Sequence, residues 1–381
     1  MALKKYLVNI LCWGIILFFS IEGGGCKKSE PKSEPKMEDA NVYFASKDTL
    51  LAVNASTGVL KWKFVTNGRI ANDPTVFDSL IICVSFSGGT SYIYALDRFK
   101  GISKWTYTAR NMNIQAIPTI FNGLIYFGNA YANSNFFALK STTGALEFDV
   151  LLSDGIVSSP LIANGFIYLL TLKNLYQLYT INGSTNFFTP MASVASSPAF
   201  NNNSLYFCSN ADKSLHRFDI SSKMNKWTFN NNGAFYTEGS CMSPTVYNGL
   251  VYFGDLNGRF YAVDTAGNKK WEFNAGSQIY TSPTVYNGLV YFGDLNGKFY
   301  AMDAVSGNKK WEFVTGSAIY ASPVAYNGLV YFGDKSGRFH AVNAADGSKK
   351  WEFVTVEINY GACIATDGGK VIHSSVSGDQ Q

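Results

Sequence analysis

The stretch SPTVYNGLVYFGDLNG occurs twice, beginning at Ser243 and again at Ser282, 39 positions later, and a looser copy, SPVAYNGLVYFGDKSG, begins at Ser322. Near-identical segments at a fixed period confine a chain to a structure assembled from equal parts, because equivalent residues need equivalent neighbours. One aromatic per unit keeps the register: Trp62, Trp105, Phe148, Phe188, Trp227, Trp271, Trp311 and Trp351. A proline follows at Pro74, Pro118, Pro160, Pro198, Pro244, Pro283 and Pro323, and Cys363 takes the eighth such place. Eight marks predict eight units over 41–381.

Each unit reads as four strands. From Pro283 onward, PTVY runs into Asn287-Gly288, LVYF into GDLNG, KFYAMDA into VSGN, and KKWEF closes the unit. Short aromatic and β-branched runs separated by Asn-Gly and glycine turns are hairpin signals. The predicted fold is all-β: an eight-bladed β-propeller of four-stranded antiparallel blades, which closes on itself and so hides its sheet edges. The ends indicate how it closes. VYFAS, TLLAVNA and VLKWKF near the start match the second, third and fourth strands of a unit, and YGACIATDG near the end matches the first. A composite blade from both termini is expected. KVIHSS, beyond it, resembles another second strand, and one of the two copies must lie elsewhere.

The composition suits such a core, with 47% hydrophobic and 15% charged residues. A net charge of +4, thinly spread over 381 residues, lacks the concentrated basic face that nucleic-acid binding needs. Residues 1–25 stand apart. Lys4 and Lys5 precede an apolar run over 6–21, followed by Gly23, Gly24, Gly25 and Cys26. A basic start, a short apolar stretch and small residues read as an export signal. Small residues directly before a cysteine resemble the lipobox of bacterial lipoproteins, which implies cleavage before Cys26 and lipidation of its thiol. Lys27 after that cysteine implies, by the same resemblance, the outer membrane. Residues 26–40, charged and proline-containing, read as a flexible tether.

Of the remaining cysteines, Cys83 and Cys208 fall in second strands, in the register of Phe253, while Cys241 and Cys363 complete the set. No CxxC, adjacent pair or histidine spacing suggests a metal.

The segments AMDAVSGNKKW (301–311) and AVNAADGSKKW (341–351), with AVNASTGVLKW (52–62), resemble the AxDxxTGxxxW repeat of the PQQ-like, or quinoprotein-type, propeller family. In that family the tryptophan packs between blades, which implies a structural, blade-docking role for Trp62, Trp105, Trp227, Trp271, Trp311 and Trp351. Two groups share the repeat: pyrroloquinoline-quinone dehydrogenases, and non-catalytic lipoproteins similar to BamB that serve outer-membrane protein assembly. The dehydrogenases are longer and use a vicinal disulfide, calcium and an aspartate base. Here no cysteines are adjacent, and Asp255, Asp294 and Asp334 sit in GDxxG hairpins, where an aspartate caps the turn. His216 and His340 align with Tyr261 as strand residues, and His373 falls in the ambiguous end segment. The expectation is a non-enzymatic scaffold of the cell envelope with no catalytic residue, cofactor or metal. Its partners would be the membrane, through the lipid anchor, and other envelope proteins. The alternatives are a protein holding a small ligand or glycan in its central channel, or a PQQ-dependent dehydrogenase.

Function is expected where the units differ. The connections from each fourth strand to the next first strand vary most, and in propellers they gather on one face. That face would collect Arg69, Arg110, Gln115, Tyr236, Glu238, Gln278, Tyr280, Tyr320, Glu357 and Tyr360 as a candidate partner-binding surface. Tyrosine and arginine are favoured contact residues.

Overall fold

The computed structural model describes residues 39–130, 134–156, 158–191, 194, 196–231 and 242–373. The export signal, Cys26, the tether up to 38, Tyr236, Glu238 and Cys241 lie outside the described residues. The described residues form eight sheets, each a radial blade; in blades 2 to 8 the antiparallel strands run in chain order from the inner to the outer edge. Blades 2 to 8 span 69–110, 119–151, 161–190, 199–230, 245–274, 284–314 and 324–354.

Local chemistry fixes the hairpins. At the first turn of blade 7, Asn287 (φ 50°) and Gly288 (φ 75°) are both left-handed, as the tight turn between twisted strands requires. Between third and fourth strands a β-bulge follows the Ala301–Trp311 pair, and the same bulge recurs after Ala341–Trp351 and Ala262–Trp271. In blade 4 the bulge follows Gln177–Phe187, so Phe187 and not Phe188 is the structural counterpart of the tryptophan. One residue reverses the side of the pleat: Phe187 packs inward, and Phe188 is 56% exposed.

Blade 1 is the composite. Its second, third and fourth strands are Ala40–Ser46, Thr49–Asn54 and Leu60–Val65, and its first is Ala362–Thr366. Ala40 and Asp39, assigned from sequence to the tether, belong to the folded body: the Asn54 amide donates to the Asp39 carboxylate, and the Asp367 amide to the Asp39 carbonyl. The second-strand look-alike is a fifth strand, Val371–His373, paired on the inner side of Ala362–Thr366. Neighbouring strand residues point to opposite faces. Ile372 therefore packs on the core shared with blade 8, and Val371 on the core shared with blade 2. Two register assignments shift by one. Cys363 pairs with Tyr43 as Val324 pairs with Tyr331, so Ala362, not Cys363, stands in the proline's place, because the preceding connection is one residue shorter. Phe207, opposite His216, is the counterpart of Phe253, and Cys208 takes the place of Gly254.

The blades are joined by repeated contacts that explain why the sequence repeats. Near the channel, the Ser243 amide donates to the Ser282 hydroxyl at 3.0 Å and the Ser282 amide to the Ser322 hydroxyl at 2.9 Å. The same link runs from Ser159 to Ser197 and from Ser197 to Ser243, while Gly361 N–H closes onto the Asp73 carboxylate at 2.8 Å. Thr245 and Thr284 donate to the carbonyls of Pro283 and Pro323. These segments before each first strand thus form a belt of links between successive blades.

Further out, the Trp311 indole and the Tyr291 hydroxyl both donate to the Ala344 carbonyl of the next blade, at 3.0 and 2.9 Å. Trp271 with Tyr252, Trp351 with Tyr331, and Trp62 with Tyr43 do the same onto Ala304, Ala55 and Arg98. Trp105 and Trp227 donate to Ser141 and Thr265. A glycine of the next blade lies flat on each ring: a Cβ at Gly347 would come within 2.7 Å of Trp311. The blade 4–5 junction departs from this. There Lys223 (φ 55°) stands where other blades have glycine, and its ammonium sits 4.4 Å from the centroid of Phe187, a cation–π contact in place of the indole hydrogen bond.

Candidate partner-binding face

At one end of the blades the fourth-to-first connections pack among the hairpins joining second and third strands. In the described connections a fully buried aliphatic residue is the pin, among them Ile279, Ile319 and Ile358. In blades 3, 6, 7 and 8 the second strand ends in a glycine against it. A Cβ on Gly293 would stand 2.5 Å from Ile319 Cγ2, and one on Gly333 2.3 Å from Ile358 Cγ2. Backbone bonds complete the lock: Ile319 N–H donates to Asp294 O, and Leu295 N–H to Gln278 O. With isoleucine held below, the following residue stands on the face. Gly293→Ala should therefore cost about 1–3 kcal/mol of stability and displace Tyr320. Urea denaturation of variant and parent checks the first, and unchanged stability would contradict the close packing.

Two sets of the candidate residues come together. Tyr280 and Tyr320, on successive connections, meet edge to face at 5.3 Å, and the Lys335 ammonium lies 5.6 Å from the Tyr320 ring centroid. Arg69, in the short strand Arg69–Ile70, pairs with Glu357 at 3.1 Å. A hydrogen bond from the Asn359 amide holds the Glu357 carboxyl below its usual range; burial opposes this, and the charges of Arg69 and Lys335 add to it. Lys335 therefore links the two sets, and a row Tyr280, Tyr320, Lys335, Glu357, Arg69 crosses four successive blade junctions. Arg110 is exposed at the end of the outer strand Ser103–Arg110, Gln115 follows buried Ile114, and Tyr360 is half-buried beside Gly361. Gln278 contributes its carbonyl to the lock.

Sequence reasoning missed Lys335, Asn359 and Ser46, whose hydroxyl meets Thr355 Oγ1 at 2.9 Å. Lys335 had a signal: it stands in DKSG where the two closest copies have DLNG. The hairpin aspartates are fully buried caps. Asp334 accepts from the amides of Ser336 and Arg338 and, on its other oxygen, from His340 Nε2 at 3.2 Å; Asp294 accepts from Lys298 N–H and from the Tyr300 hydroxyl. His216 lies against Asp212 at 2.9 Å. For His373 only the backbone is described.

Residues 26–229 and again 227–365 match the family described as outer membrane protein assembly factor BamB. The chain belongs to the BamB family. Among solved structures it is similar to BamB from Moraxella catarrhalis, at 19% identity and a TM-score of 0.62, covering 80% of this chain and 95% of that one. It is also similar to a europium-containing methanol dehydrogenase, at 13% identity and 0.66, covering 80% and 84%. A third likeness is to the computationally designed Ika8 protein, at 14% identity and 0.60, covering 84% and 98%. No curated protein matches the sequence. At these identities the structural likeness is one of fold, and a BamB-family propeller shares its fold with an enzyme. Fold alone leaves activity open.

Proposed function

We propose that this BamB-family chain is a non-enzymatic, lipid-anchored propeller of the outer membrane that docks other envelope proteins during outer-membrane protein assembly. The observation that carries this is the row from Tyr280 to Arg69. It lies on a rigid, repeated frame: Tyr280 and Tyr320 hold the same place in successive units, and Lys335 and the Arg69–Glu357 pair break the repeat beside them. Edge-to-face tyrosines beside an arginine–carboxylate pair offer what protein interfaces favour: large amphipathic rings at low entropic cost and charges that orient a partner. The caps and locks around the row satisfy backbone groups and leave no base poised against a nucleophile along it. The other readings have less behind them. A ligand in the channel needs space on the inner side of blade 1, where Val371–His373 lies. A quinone dehydrogenase needs vicinal cysteines, whereas Cys83, Cys208 and Cys363 are buried in three different blades.

A photo-crosslinking residue at position 280 or 320, in living cells, should trap components of the barrel-assembly machinery. The same residue at 346, on the opposite end of the blades, should not. Equal trapping at 346, or none at 280 and 320, would remove the support for this face.

A further inference from the structure

On the face that carries the Tyr280–Arg69 row the charges do not balance. In the second-to-third-strand hairpins of blades 7, 8 and 1 and the connections beside them, Lys335, Arg338, Lys47 and Arg69 are exposed. Two carboxylates there are not buried, Glu357 and Asp48, whereas Asp294, Asp334 and Asp73 are. The cations gather around Glu357. Arg69 lies 3.1 Å from it, and the Lys335 charge reaches it too. Lys47 adjoins both: its carbonyl accepts from Ile70 N–H, and the preceding Ser46 hydroxyl accepts from Glu357 N–H at 3.4 Å. Asp48 accepts from the hydroxyl of its own neighbour, Thr49. Among the described residues no carboxylate forms an ion pair with Lys335, Arg338 or Lys47. The same blades treat the lysines that open their fourth strands otherwise. Lys309 and Lys349 pair with Glu312 and Glu352, and Lys310 with Asp303.

One exposed carboxylate thus serves two cations, and two further cations have none. A cluster of one sign draws groups of the other sign to it and orients them as they arrive. The patch is not purely charged. Val354 and Val356, which lead up to Glu357, are 66% and 60% exposed, and Tyr280 and Tyr320 stand on the two connections before. A layer of lipid headgroups would meet this patch with phosphates alone and would find Glu357 in its midst. Valines and tyrosine rings interleaved with cations suit a surface that brings carboxylates and apolar side chains together, with room between the carboxylates for Glu357.

We infer that the partner received by this face is acidic: a protein segment in which Asp or Glu alternates with apolar residues, its carboxylates meeting Lys335, Lys47 and the open part of the Arg69 guanidinium while its apolar groups cover Val354, Val356 and the tyrosines. This rests on the partner-face reading above and adds the charge that the partner carries. The test uses the full chain in living cells with a photo-crosslinking residue at position 320. Lys335→Glu combined with Lys47→Glu should cut the protein adducts about tenfold or more, because it sets like charge against like. Lys335→Arg should leave them at the parent level. Lys100→Glu combined with Lys226→Glu makes the same change of net charge at exposed positions on the other end of the blades and should have no effect. Mass spectrometry of the trapped peptide should place Asp or Glu beside the point of attachment. All the substituted side chains are exposed, so melting should not change; if the double reversal lowers it, Lys335→Gln alone should still reduce the adducts. Adducts that survive the reversal, attachment to segments without carboxylates, or equal loss with the pair at 100 and 226 would overturn the inference and leave the partner face standing. Adducts to phospholipid alone would overturn it by making the patch a membrane contact. No adduct at 320 in the parent would remove the partner face itself, and the inference with it.

Discussion

Deleting residues 352–381 is expected to leave the chain insoluble or to lower its melting temperature severely. The deletion removes the strand Ala362–Thr366, all of it buried, the fifth strand inside it, the connection with buried Ile358, and the last three residues of the outer strand Lys349–Val354 with Phe353. Ala40–Ser46 then becomes an open inner edge, with Val42 and Phe44 losing the partners that cover them on the blade 8 side. Phe44 stacks on Phe339 at 4.0 Å, so the injury reaches the neighbouring blade. Apolar burial stabilises by about 25 cal/mol per Å², so a few hundred Å² rivals a domain's net stability of about 5–15 kcal/mol, and the bared edge invites aggregation. Two shorter deletions grade the argument. Removing 27–37 should leave melting unchanged, because the folded body begins at Asp39. Removing 370–381 takes away the fifth strand, with Val371 and Ile372, but spares Ala362–Thr366, and should give an intermediate loss. Scanning calorimetry on the three proteins decides. A 352–381 deletion that melts with the full chain would mean that the ring is closed by other contacts.

The closing strand was legible because its residues copy a pattern written seven other times; the fifth strand was visible only as a surplus copy with no assigned place. Sequence spacing also identified the docking tryptophans as recurrent marks, yet it chose Phe188 over Phe187. In a doublet of aromatics the side of the pleat is set by where the bulge falls, and that depends on pairing with a strand ten residues away. The connections were readable as the variable parts of an otherwise uniform chain, which brought Tyr280, Tyr320, Arg69 and Glu357 into view. What joins them, Lys335, belongs to a hairpin of a different blade position, and only the fold places a second-strand hairpin against a fourth-strand connection.

Asp334→Ala is expected to cost about 3–5 kcal/mol, the range for breaking a buried, hydrogen-bonded charge. The carboxylate is fully buried, and its loss strands the amides of Ser336 and Arg338 and the Nε2 of His340. Its neighbours in the repeat make a control available. In blade 7 the place of His340 is held by Tyr300, which donates to Asp294 at 3.0 Å, so His340→Tyr offers Asp334 a partner the fold already accommodates and should be far milder. The two environments differ in acid. Burial raises the Asp294 carboxyl, and the bonds from Lys298 N–H and Tyr300 only reduce the rise. Burial would raise Asp334 too, but there the bonds from His340, Ser336 and Arg338 N–H outweigh it and hold the carboxyl below its ordinary value. A carboxyl lowered by folding adds stability above its unfolded value of about 4 and loses it as the pH falls through the folded value. One raised by folding carries a penalty at neutral pH that acid relieves. The stability gap between the parent and His340→Tyr should therefore be widest near pH 7, begin to narrow as the pH falls through the variant's raised carboxyl value above about 4, and go on narrowing below it as the parent's Asp334 takes up its proton. Urea denaturation followed by tryptophan fluorescence across that range reads it directly. A gap that stays constant, or widens in acid, would show that His340 is a space-filling strand residue and that Asp334 draws its ionisation from the turn alone.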